Sequence, residues 1–267
     1  MENSKQYALI TGATSGIGYE LAKLFAKDQY NLVIVARHEA DLKKAASEFR
    51  KEGVKVETIT KDLFKKEAAS EIYEEVKNRG ITINVLVNNA GQGEFGKFIE
   101  NNLQDELEII QLNIVATVAL TKYFIRDMMQ AGEGKILNLS SIAGKVPGPY
   151  QAVYHGTKAF IQFFTEAVRS EMKDTGISLT ALLPGATDTD FFNKADMESS
   201  KILEQDLADP AKAAEDGYKA LMNGEAMVIS GFKNKMQVAM GNMMPDNKSA
   251  DMMGKQQKPK EEEHQSK

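Results

Sequence analysis

The chain has no cysteine and no tryptophan. Without thiols, a disulfide framework, thiolate catalysis and a cysteine-held zinc site are all excluded. Histidine is scarce. His38, His155 and His264 lie far apart in sequence, which argues against metal chemistry. An excess of positive charge is also lacking: the formal charge is -5. Nucleic acid is therefore not expected as the main partner, because phosphate backbones are bound by basic patches. No apolar run reads as long enough to span a bilayer, and Met1–Lys5 holds no apolar signal region. The expectation is a cytoplasmic protein with no membrane partner. What is present is 267 residues, 42% of them hydrophobic, enough for one large α/β domain with a sizeable core. No internal repeat or dividing linker is visible.

The chain reads outward from Thr11-Gly12-Ala13-Thr14-Ser15-Gly16-Ile17-Gly18. The apolar run Tyr7-Ala8-Leu9-Ile10 precedes it, and Ile17, Leu21, Leu24 and Phe25 repeat at helical spacing after it. This is strand, glycine turn, helix. Glycines open torsions closed to other residues and let a ligand approach the main chain. The free N–H groups at the following helix start then favour an anion, usually a phosphate. The spacing is G-x-x-x-G-x-G rather than the common G-x-G-x-x-G, so the turn alone has two readings, structural or phosphate-binding.

Further strands and helices alternate along the chain. Leu32-Val33-Ile34-Val35-Ala36 is continuous and apolar, as suits a parallel strand buried on both faces. It ends at Arg37. An acidic residue there would bind a ribose 2′-hydroxyl and a basic one a 2′-phosphate, so Arg37 favours NADP over NAD; a solvated arginine is the bland alternative. Ser15 is a second candidate donor to that phosphate. A helix is expected from about Glu39 to Glu52, then a strand over Val54–Thr60. Asp62, before Leu63, either accepts from an adenine amino group or caps the helix expected over Lys65–Asn78. A fourth strand, Val85–Val87, leads into Asn88-Asn89-Ala90-Gly91. One long helix is expected over Leu103–Met129. Asn113 within it either stitches backbone or holds a water for proton transfer.

A fifth strand, Lys135–Leu139, runs into Ser140 and Ser141. Tyr154 and Lys158 are four residues apart on the next helix, expected to run to about Thr175, and so share one face. The sixth strand, Ser178–Leu183, ends in Pro184-Gly185-Ala186-Thr187-Asp188-Thr189. Residues 188–209 lose clean periodicity and read as a substrate loop, its phenylalanines and methionine suiting a partly apolar molecule. A helix over Pro210–Met222 and a last strand over Ala226–Ser230 follow. The methionine-rich Phe232–Met244 reads as a core-capping helix or a soft apolar surface for a partner or ligand. Residues 1–244 are expected to form the single domain, and 245–267 a polar, disordered tail.

Taken together, Thr11-Gly12-x-x-x-Gly16-x-Gly18, Asn88-Asn89-Ala90-Gly91, Asn113, Ser141, Tyr154-x-x-x-Lys158 and Pro184-Gly185 with Thr187 and Thr189 resemble the short-chain dehydrogenase/reductase family, over roughly Gln6 to Ser230. The tail resembles its bacterial ketoacyl-reductase and hydroxysteroid-dehydrogenase branch. The resemblance implies a doubly wound, Rossmann-type α/β fold of about seven parallel strands. It also implies an NADP(H)-dependent oxidoreductase acting on a carbonyl or secondary alcohol.

By matched position, Tyr154 would be the general acid or base, its pKa lowered by Lys158. Ser141 would bind the substrate oxygen, and Asn113 would hold a relay water. Gly12, Thr14, Ser15, Gly16, Ile17 and Gly18 would line the pyrophosphate and adenosine side. Arg37 would take the 2′-phosphate, and Asp62 with Leu63 the adenine. Asn89, Ala90 and Gly91 would border the ribose, Lys158 would bind the nicotinamide ribose, and Pro184, Gly185, Thr187 and Thr189 would face the carboxamide. His155 reads as a packing or surface residue. A homodimer or homotetramer is implied. The rival reading is a non-catalytic NADP-binding sensor or scaffold.

Overall fold

A computed structural model describes residues 6–195, 197, 200, 207–241 and 244–258. Seven strands form one parallel sheet in the order β3-β2-β1-β4-β5-β6-β7. They are β1 (Tyr7–Thr11), β2 (Asn31–Ala36), β3 (Val56–Thr60), β4 (Ile83–Asn88), β5 (Gly134–Leu139), β6 (Ile177–Leu183) and β7 (Met227–Ile229). The expected α/β sheet of about seven parallel strands is what the chain forms. β2 is buried along Asn31–Val35, which is why its sequence shows no polar alternation.

Helices cover both faces. On one side α1 (Gly16–Lys27), α2 (Glu39–Arg50) and α8 (Pro210–Met222) bury Leu21, Phe25, Phe49 and Leu221 against Ile10 and Ile34. On the other, α3 (Ala68–Asn78) and α5 (Ala116–Ala131) bury Ile72, Val76, Leu120 and Phe124 against Leu86 and Ile136. Each such large side chain is worth about 1.5–3 kcal/mol.

The helix expected over Leu103–Met129 is present with an interruption. It runs as α4 (Leu103–Ile110), one π turn over Gln111–Val115, and α5, which stops at Gly132 with φ +79°. The expectation that no run is apolar enough to cross a membrane does not hold for this stretch. Leu103–Ala131 contains an 18-residue window of mean hydropathy 1.3. Half of that window is buried in the fold, where Leu120 and Phe124 pack on the sheet.

The C-terminal part also differs from expectation. α6 (Ala152–Glu171) and α7 (Phe191–Lys194) are followed, after β7, by α9 (Phe232–Gly241) and α10 (Asp246–Gln257). The tail expected to be disordered from residue 245 is thus helical to Gln257, with Ser249, Met253 and Gln257 buried. Residues 259–267 of that expected tail, and 196, 198–199 and 201–206 of the expected substrate loop, lie outside the described residues. In α9 Val238 is buried, while Phe232, Met236 and Met240 are exposed.

Candidate active site

β1 and β4 are neighbours at the centre of the sheet, and the chain leaves them in opposite directions. The crevice beyond the carboxyl ends of such a strand pair is where open α/β sheets bind ligands. Here it opens into a cleft of about 1100 Å3.

The floor of the crevice is tied together by polar contacts between the two strand ends. The Thr11 hydroxyl accepts from the backbone N–H groups of Asn89 and Ala90 at 3.1 and 3.0 Å. Asn89 Nδ2 donates back to the carbonyls of Thr11 and Gly12 at 2.9 and 3.1 Å. Beneath, Asn88 donates to Thr121 and to Asn138, and Asn138 to Thr165. The turn above this floor has Gly12 at φ +67° and Gly16 at φ +55°, torsions that a side chain would strain. Gly18 is required for a different reason. A Cβ there would run into Asn89 and the Gly12 carbonyl. It packs α1 onto the floor and does not line the cleft, whereas Gly12, Thr14, Ser15, Gly16 and Ile17 do.

Farther out, Arg37, Asp62 and Leu63 line the same cleft. The Arg37 guanidinium lies 5.1 Å from the Phe64 ring centroid, at an exposed position. Asp62 Oδ1 accepts from Phe64 N at 3.2 Å, closing a turn rather than capping α3, whose first residue is Ala68. Asn89, Ala90 and Gly91 line it after β4, and Pro184, Gly185, Thr187 and Thr189 line it after β6.

Ser141, Tyr154 and Lys158 also lie on the cleft wall. Ser141 opens the 3-10 turn Ile142–Lys145 by accepting from Ala143 N at 3.1 Å, and it donates to Pro184 O at 3.3 Å. A side-chain hydrogen bond joins it to Tyr154. Ser140 points the other way and donates to Lys158 O at 2.7 Å. Tyr154 packs on Phe191, ring centroids 5.1 Å apart. Lys158, one helical turn on, has its Nζ 5.7 Å from the Tyr154 ring centroid and donates to Leu139 O at 2.9 Å. The amine and the phenol therefore face the same cleft.

The electrostatics differ from the expectation in one respect. Burial pushes the Tyr154 phenol up to about 12, the Ser141 hydrogen bond opposing, and burial brings the Lys158 amine down to about 8. In the protein alone, desolvation outweighs the pull of the lysine on the phenol, because the amine is turned to a backbone carbonyl. The Tyr154 phenol is held protonated at neutral pH.

Asn113 does not line the cleft. On the π turn, its Nδ2 donates to Gln92 O and Thr157 Oγ1 and its Oδ1 accepts from Gln92 N, all at 2.9–3.0 Å. Thr157 in turn donates to Tyr154 O at 2.8 Å. His155 is buried and donates from Nδ1 to Val146 O.

A short chain dehydrogenase family model matches residues 6–199. The chain belongs to the short-chain dehydrogenase family. This family member is 28% identical over 244 residues to the ketoacyl reductase HetN of a Nostoc species, covering 89% of this chain and 84% of that one. It is 35% identical over 179 residues to a very-long-chain 3-oxoacyl-CoA reductase of Neurospora crassa, covering 65% of this chain. The match spans 53% of that longer relative. A short-chain dehydrogenase from Sphingobium yanoikuyae in complex with NADPH superposes with a TM-score of 0.80 at 27% identity, over 90% of this chain and 96% of that one. A short chain dehydrogenase/reductase from Burkholderia phymatum in complex with NAD shares the fold, with a TM-score of 0.78 at 19% identity over 90% of this chain and 93% of that one.

The residues of the cleft fit a nicotinamide dinucleotide: a side-chain-free cradle at Gly12 and Gly16, the start of a 12-residue helix, and one continuous lining that includes both Arg37 and Tyr154. Reasoning from sequence missed Met253 and Gln257 in the lining, whereas Phe232, Asn234 and Val238, which also line the cleft, fall in the stretch read as a core cap or a soft apolar surface for a partner or ligand. In α10 the buried positions Ser249, Met253 and Gln257 do follow an i, i+4, i+8 spacing. Two of the three are polar, so no apolar stripe marked the helix.

Proposed function

We propose that this short-chain dehydrogenase is an NADP(H)-dependent carbonyl reductase, running in reverse as a secondary-alcohol dehydrogenase. The observation that carries this reading is the grouping of Ser141, Tyr154 and Lys158 on the wall of the same cleft as the glycine cradle. The bound nicotinamide supplies the hydride. Tyr154 gives its hydroxyl proton to the substrate oxygen as negative charge develops there. Ser141 steadies that oxygen with a hydrogen bond. Lys158, with a pKa of about 8, is largely charged at neutral pH and lowers the cost of the phenolate left behind. Asn113 acts as a positioning residue, joining Gln92 to the turn of α6 that carries Tyr154. A phenol held near 12 stays protonated at neutral pH, so its proton is in place for the reduction step.

Arg37 is assigned to the 2′-phosphate, and Asp62 to the adenine side. Exposed Phe160 and Phe163 on α6 and Leu103 and Leu107 on α4 are apolar surface that a second copy of the chain would cover, supporting a homodimer or homotetramer. The test is NADPH oxidation by the purified protein with a panel of ketones and aldehydes, read by absorbance. Turnover with a carbonyl compound is expected. Tight NADPH binding with no turnover across the panel would instead favour the sensor or scaffold reading.

A further inference from the structure

Three polar side chains that the proposed reaction does not use are almost wholly buried at the substrate end of the cleft. Gln151 and His155 are 4% exposed and Gln257 is 2% exposed. Burial lowers the His155 pKa and keeps the ring neutral. Its Nδ1–H donates to Val146 O at 2.8 Å, so Nε2 carries the lone pair. Gln257 Nε2 donates to that nitrogen at 3.1 Å and to Gln151 Oε1 at 3.4 Å. Gln151 Nε2 reaches Met197 Sδ at 3.1 Å.

Four separate segments meet in this network: the substrate loop at Met197, the turn after Ser141 at Val146, the first turn of α6, and the last residue of α10. Gln151 is the N-cap residue of α6, and His155 directly follows Tyr154. α10 has little apolar hold on the domain, since Met253 is its one buried apolar side chain. Its docking therefore depends on buried hydrogen bonds, each costly to leave unmade. Met253 and Gln257 both line the cleft.

We propose that Gln257, held by His155 and Gln151, clasps α10 over the cleft and makes this helix a specificity-determining wall. Met253 is the surface on which an apolar group of the substrate, remote from the reacting carbonyl, rests. The wall is a positioning device: remote contacts of this kind hold the carbonyl at the reacting groups and do not touch the chemistry. The inference rests on the carbonyl-reductase reading given above.

The test uses the full chain and the variants Gln257→Leu and Met253→Ala, with two readouts. The first is amide hydrogen exchange of Asp246–Gln257 in the protein without substrate. Gln257→Leu is expected to speed exchange there by about tenfold or more, from loss of buried hydrogen bonds. The second is the ratio of kcat/KM for 4-phenyl-2-butanone to that for 2-butanone, ketones that differ by a remote phenyl group. Either variant is expected to lower this ratio by about tenfold, through KM for the larger ketone, with NADPH affinity unchanged. Undiminished protection of α10 in Gln257→Leu, or an unmoved ratio in both variants, would overturn the clasp. Failure of the wild type to reduce either ketone would count against the carbonyl-reductase reading, and the exchange measurement would still decide whether Gln257 holds the helix.

Discussion

The two ends of the cleft are built by different means. The nucleotide end is made of backbone: two glycines at positive φ, a helix start, and a floor in which Thr11 and Asn89 tie β1 to β4. The substrate end is made of side chains from distant segments, with Met197, Val238, Met253 and Gln257 lining the same cleft as Tyr154. Backbone geometry tolerates little change, because the positive φ at Gly12 and Gly16 strains any side chain and a new Cβ there meets Asn89, the Ala90 backbone or Thr189. A wall of side chains can be rebuilt residue by residue. Cofactor binding should therefore fail abruptly with substitution, and substrate choice should drift.

Substitutions can sharpen or break that contrast. Apart from Tyr154 itself, the largest effect is expected from Ser141→Ala, which removes a donor to the substrate oxygen and the partner of Tyr154. Reduction should slow by roughly 100-fold or more with NADPH affinity unchanged, measured by steady-state kinetics beside a binding titration. Loss of NADPH binding would show that the two ends are not separable.

Lys158→Met addresses the cost of the buried amine. The amine has a pKa of about 8 when folded against 10.5 unfolded, so between those values the unfolded chain binds more protons and stability rises with pH. Below about 8 the full penalty of a buried charge is present. The substituted protein lacks this rise. Denaturation across that range should show the wild type gaining up to about 3 kcal/mol relative to the variant. Parallel curves would mean that the amine is not desolvated.

Arg37→Asp tests the outer nucleotide end. NADPH affinity should fall by about 10- to 100-fold more than NADH affinity. Equal losses would show that Arg37 does not read the phosphate. The smallest effects come from a pair of glycines. Gly18→Ala drives a methyl group into Asn89 and the Gly12 carbonyl and should cost about 1–3 kcal/mol. Gly156→Ala, on the exposed side of α6 with open space around it, should stabilise by about 0.4–1 kcal/mol. Thermal melting of the two variants separates a glycine set by packing from one that is not.

The same contrast explains what could be read from the sequence. The strand, glycine turn and helix at Tyr7–Lys27 announce themselves, because backbone constraints write residue types at fixed spacing. Tyr154 and Lys158 share a helix face by their four-residue separation alone. Three things were not legible. The π turn at Gln111–Val115 breaks a helix whose apolar repeat is continuous, and Asn113 within it is bonded to Gln92 and Thr157 rather than lining the cleft. The phenol and amine pKa values depend on burial, which no spacing reveals. The helix Asp246–Gln257 is held through Gln257 and His155, and its polar composition resembles that of a disordered tail.

The central claim is that one cleft binds the nucleotide and that a phenol on its wall delivers the proton. The most direct measurement is Tyr154→Phe, with NADPH binding and NADPH oxidation in the presence of a reducible ketone followed on the same sample. The account predicts unchanged binding and a fall in kcat of about 10²- to 10⁴-fold. Turnover within a few-fold of the wild type would contradict it.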